Sequence, residues 1–102
     1  MPELRRPSNI QRTYVEVSYS VTDKGLLYTG RVRIRPSKVH IEQVMGQPLM
    51  VIIKGPIIRK DGEVSTRTGQ VIFGRFGAPL SDAPPWVTNL AEKFERMVKA
   101  YA

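Results

Sequence analysis

Between residues 12 and 35 the chain alternates apolar and polar positions with a period of two. In "RTYVEVSYSV" one side carries Thr13, Val15, Val17, Tyr19 and Val21, and the other carries Arg12, Tyr14, Glu16, Ser18 and Ser20. In "LLYTGRVRIR" Leu26, Tyr28, Gly30, Val32 and Ile34 share a side, opposite Leu27, Thr29, Arg31, Arg33 and Arg35. Alternation of this kind marks half-buried strands. With the turn cluster "TDKG" at residues 22–25 between them, the two runs predict a β-hairpin. A one-residue slip would send every side chain to the opposite face. The pattern therefore selects the register that pairs Val21 with Leu26, Tyr19 with Tyr28, Val17 with Gly30 and Val15 with Val32. In that register Glu16 faces Arg31, Tyr14 faces Arg33 and Arg12 faces Arg35. The outer face then ends in a basic patch with one tyrosine inside it.

Further along, "KVHIEQVM", residues 38–45, alternates again and predicts a third strand. "LMVIIK", residues 49–54, is a short apolar run with β-branched residues, as expected of a central strand buried on both faces, with Gly55-Pro56 interrupting it. Asp61-Gly62 signals a tight turn and a second hairpin, returning through residues 63–73 with a bulge near Gly69. "GRFGAPLSDAPPW" connects to a helix over about residues 85–101, with Ser81 or Asp82 as cap and proline in its first turn. Val87, Leu90, Phe94, Met97, Val98 and Tyr101 recur along it at helical spacing, a stripe suited to packing on the sheet.

The expected fold is α+β, mainly β. It is a four- to six-stranded antiparallel sheet or partly open barrel with one C-terminal amphipathic helix packed on it. Residues 1–11 read as a basic arm and residues 12–102 as a single domain, with the sheet over about 12–76. The order of elements, a sheet and then a helix opening with Pro85 and Trp86, is similar to that of the transcriptional positive-cofactor proteins that bind single-stranded DNA. The connector before the helix is longer here and no motif matches residue for residue, so the resemblance assigns no site residue.

Charge sharpens this picture. The chain carries a net +7 with a pI near 10.2. The excess lies wholly before Leu80, because the later cations Lys93, Arg96 and Lys99 are balanced by Asp82, Glu92 and Glu95. A basic domain of this kind is expected to meet a polyanion, nucleic acid above all. The sequence has no cysteine, no apolar run long enough for a membrane span and no apolar core of a secretory signal in "MPELRRPSNIQ", which together suggest a cytoplasmic protein.

Candidate chemistry is sparse. His40 is the only histidine, the acids are scattered singly along the chain, and "GRFG" lacks the GK[ST] of a phosphate loop. No enzyme activity, metal, cofactor or small-molecule substrate is expected. The arginines offer a different chemistry, since guanidinium groups grip phosphates bidentately and stack on bases. The expected binding residues are Arg31, Arg33, Arg35 and Arg12 for phosphates and Tyr14 for stacking. Lys38, Arg5 and Arg6 would add electrostatic reach. Arg59, Lys60 and Arg67 read more simply as charged guards on an exposed edge. The expected partner is nucleic acid, DNA ahead of RNA, with single strands favoured. The alternatives are a structural or adaptor subunit of a larger protein assembly, such as a phage particle, a homodimer, or an inhibitor of an acidic protein.

Overall fold

A computed structural model describes residues 3–5 and 14–101 of the chain. Its elements are β1 (Glu3–Arg5), β2 (Tyr14–Ser20), β3 (Leu27–Tyr28), β4 (Arg33–Ile34), β5 (Lys38–Val44), β6 (Met50–Ile58), β7 (Val64–Gly74), a short 3-10 turn (Leu80–Asp82) and α1 (Pro85–Tyr101). The strands form one open antiparallel sheet in the order β1-β2-β5-β6-β4-β3, with β7 on the other edge of β6. Part of the segment expected to be an arm is thus a strand: β1 pairs with β2, Arg5 opposite Glu16. Arg6 and Arg12 lie outside the described residues.

The expected hairpin between β2 and the strand after residues 22–25 is not formed; a shorter one, β3–β4, turns later in the chain. β2 pairs with β5, placing Val17 opposite Ile41 and Tyr19 opposite Val39. This register sets a buried residue against Val17, where the expected one offered only Gly30, so it buries more apolar surface. The ladder continues through a Val21 N–H to Ser37 carbonyl bond of 3.0 Å. After an excursion over residues 22–26, β3 pairs with β4, Leu27 opposite Ile34 and Tyr28 opposite Arg33. The chain reverses at residues 29–32, where the Thr29 N–H meets the Val32 carbonyl at 2.9 Å. Gly30 supplies the backbone for this turn with φ of 98°, a region that costs glycine little. The excursion is tied down by Lys24, whose Nζ lies 5.4 Å from the Trp86 ring centre.

Moving the turn changes which side chains face out. Leu27 and Ile34 point into the core, whereas Tyr28, expected on the apolar side, is 70% exposed. The expected pairs Glu16–Arg31 and Tyr14–Arg33 are not formed, because β2 spends that edge on β5, and the expected Arg12–Arg35 pair lies partly outside the described residues.

β6 is the central strand and runs unbroken through Gly55-Pro56. One of its edges pairs with β5 and then with β4, and the other pairs with β7 along its length. The register irregularity expected near Gly69 falls between Pro56 and Ile58 instead. At Gly55 the β4 end folds close against β6. A Cβ there would collide with the Arg35 carbonyl, whose carbon would sit 2.7 Å away. Opposite it, a Cβ on Gly69 would meet the Ile34 side chain at 2.8 Å. The glycine pair lets the sheet curl, bringing Tyr28 and Thr29 across a cleft from residues 70–73 of β7.

The helix covers the concave side. Val87, Ala91, Phe94 and Val98 are buried against Val17, Val39, Ile41, Val51, Ile53 and Phe73 of the sheet. Leu90, Met97 and Trp86 pack at the margin. The helical stripe is therefore core. Ser81 and Asp82 belong to the 3-10 turn before it. No helix among the described residues is long and apolar enough to cross a membrane.

Candidate nucleic-acid interface

The curl brings two turns to the same end of the sheet. One is the β3–β4 turn at residues 29–32. The other joins β6 to β7, with the Arg59 N–H on the Glu63 carbonyl and the Gly62 N–H on the Arg59 carbonyl, both at 2.8 Å. It is a three-residue loop rather than the two-residue turn that Asp61-Gly62 suggests. Asp61 holds it further by accepting the Glu63 N–H at 2.9 Å.

Between the turns lies an open groove of about 570 Å³, lined by Tyr28, Gly30, Arg31, Arg33, Arg59 and Lys60 among others. Arg33 ties its two walls together, its Nη2 donating to the Arg59 carbonyl at 2.8 Å. That bond occupies part of one guanidinium and positions Arg59. Arg31 and Lys60 are exposed at the turns. Four cations thus converge beside an exposed phenol ring. Guanidinium and ammonium groups attract phosphate, and a ring open to solvent can stack on an unpaired base.

The structure divides the residues expected to bind. Arg31 and Arg33 line the groove. Arg35 is exposed just past β4, its backbone N–H bonded to the Pro56 carbonyl at 3.0 Å. Lys38 lies further along on β5. Tyr14 is not part of this surface. Its partner across the ladder is Val44, and its hydroxyl donates to Glu16 Oε2 at 2.5 Å. Burial, that hydrogen bond and the charges of Glu42 and Glu16 push its pKa well above the usual tyrosine range. The aromatic residue at the basic site is Tyr28.

Arg59 and Lys60, read from sequence as edge guards, are half of the cation cluster. Only long-range pairing brings them there: 26 residues separate Arg33 from the carbonyl it binds. The same long-range pairing assembles polar groups that look isolated along the chain. Glu16 and Glu42 are opposite one another on β2 and β5. His40 stands between Ser18 Oγ, 3.3 Å from Nδ1, and Glu42 Oε1, 3.0 Å from Nε2. The acids are therefore not all scattered, nor is the histidine without companions. Both strands put these side chains on the sheet face away from the helix.

Compared with protein-family models, with curated proteins and with solved structures, the chain has no match.

Proposed function

We propose that this is a small, non-enzymatic nucleic-acid-binding protein whose binding groove lies between the β3–β4 and β6–β7 turns. The observation that carries this reading is the convergence of Arg31, Arg33, Arg59 and Lys60 around an exposed Tyr28. Like charges gathered on one surface repel, and a polyanion relieves the repulsion. In this reading Arg31, Arg59 and Lys60 grip phosphates, Arg33 braces the groove and Tyr28 stacks on an unpaired base. Contacts of this kind are insensitive to sequence and weaken steeply with salt. A cysteine-free chain suits a cytoplasmic setting for such a protein.

The test is fluorescence anisotropy with labelled single- and double-stranded oligonucleotides at about 50 and 200 mM salt. An Arg31→Gln/Arg59→Gln/Lys60→Gln variant, shown to be folded, is expected to lose binding to both. Tyr28→Ala is expected to weaken single strands by about 1–3 kcal/mol while leaving duplex nearly unchanged. Binding unaffected by the triple substitution would remove the groove from consideration.

The alternative of an adaptor subunit has one observation in its favour. Phe76 is 78% exposed, with the Arg75 guanidinium carbon 4.6 Å from its ring centre, as at a protein-binding anchor. Absence of any nucleic-acid binding, even at low salt, would turn the search to a protein partner.

A further inference from the structure

A second cluster of cations lies on the sheet face away from the helix. Lys38 of β5 and Lys54 of β6 are directly opposite one another. The row continues to Ser20 on one side and Gln70 on the other. Val39 and Ile53, the neighbours of the two lysines, are buried on the helix side, so both lysines face outward. They border a trough of about 580 Å³, lined also by Ser18, Ser20, His40 and Ile52. Like charges directly opposite on a ladder destabilise it. An anion resting between the two ammonium groups would reverse that effect, with serine hydroxyls at hand to donate to its oxygens.

The trough and the groove share a path. β4 and β5 follow one another along the same edge of β6, and Arg33 precedes Lys38 by five residues. Their partners on β6, Ile58 and Lys54, are four strand residues apart, about 13 Å, more than one nucleotide covers. Exposed Arg35 lies between them. Beyond the trough the next row holds Glu16 and Glu42 in opposition, and Tyr14 leans on Glu16. These two carboxylates, with Arg5 opposite Glu16 at the outer end of the row, disfavour a phosphate backbone next to the trough and mark where the path ends.

We infer that Lys38 and Lys54 form a second phosphate-binding site, and that the ligand is a single strand running from the Tyr28 groove over Arg35 to this trough. The inference rests on the groove reading and adds its substrate class: an oligonucleotide of several residues, held at both ends of the path, rather than a mononucleotide. The acidic row limits its length. Single strands longer than the path gain no further contacts on this face.

The experiment is a length series of labelled oligothymidylates, about two, four, eight and twelve nucleotides, measured by anisotropy on the whole chain. The wild type is expected to bind the shorter pair weakly, to gain about tenfold by eight nucleotides and then to level off. A Lys38→Gln/Lys54→Gln variant is expected to keep the affinity for four nucleotides within twofold and to lose the gain at eight. Its salt dependence on the longer strands should fall by about 1.4 in log–log slope, as two lost phosphate contacts require. Removing two like charges from one ladder position does not threaten the fold, and circular dichroism verifies this. If wild type and variant show the same length dependence and the same slope, the second site is wrong and the groove reading stands. If the wild type binds no strand of any length, both are wrong.

Discussion

Phe94→Ala is expected to lower the melting temperature by about 15–30 °C, or to leave the chain unfolded at 37 °C. Phe94 is wholly buried at the centre of the helix face, and among the described residues it is the largest of the fully buried side chains. Truncating a phenylalanine in such a place costs about 3–5 kcal/mol, the transfer term plus the cavity left behind. Small domains hold only about 5–15 kcal/mol in total. Each kcal/mol moves the midpoint of a domain this size by about 4–8 °C. The helix is seated chiefly through this stripe, where Val87, Ala91 and Val98 join Phe94 in the core, with Trp86, Leu90 and Met97 packed at its margin. Phe94→Leu should recover most of the loss, because a leucine refills much of the space. Thermal unfolding followed by circular dichroism reads both, and a drop below about 5 °C for the alanine variant would mean the helix is not seated on the sheet as described.

Gly55→Ala is expected to damage both fold and site, although it adds a single methyl group. The new Cβ meets the Arg35 carbonyl, which is backbone and cannot swing aside. β4 is held there by the Arg35 N–H on the Pro56 carbonyl and the Ser37 N–H on the Lys54 carbonyl, at 3.0 and 2.9 Å. Relieving the collision means lifting β4 and losing these bonds. Overpacking costs about 1–3 kcal/mol, and each lost bond adds about 0.5–1.5 kcal/mol. β4 carries Arg33, so the Arg33–Arg59 brace would open and nucleic-acid affinity would fall with stability. Gly25→Ala is the control: a Cβ there meets nothing within 4 Å, and its effect should stay within about 0.5 kcal/mol. Equal melting temperatures for the two variants would contradict the close approach of β4 to β6.

The helix was legible because its stripe repeats at 3.6 residues and admits one partner, the apolar side of the sheet. The central strand was legible from its unbroken run of β-branched residues, and the second hairpin from Asp61-Gly62. Strand pairing was not. A period of two says which residues share a face of one strand, but β2 meets an equally good alternation at residues 26–35 and at 38–44. The competition is decided by Ile41 and Val39 as partners for Val17 and Tyr19, and by Gly30, which turns the chain at 29–32. Once the turn moves, Tyr28 replaces Tyr14 as the aromatic beside the cations. The site was therefore half legible. Arg31 and Arg33 announced themselves by their spacing, whereas Arg59 and Lys60 join them only through the β4–β6 ladder, which no local pattern encodes.

The most direct test of the central claim is an amide chemical-shift titration of the labelled protein with an unlabelled eight-nucleotide single strand at low salt. The largest shifts are expected to fall together on residues 28–33 and 59–63, two segments far apart in sequence, with further shifts around residues 35–38 and 54 where the strand continues, while the amides of α1 stay still. Shifts concentrated on the helix or on the loop around Phe76, or no shifts at all, would contradict it.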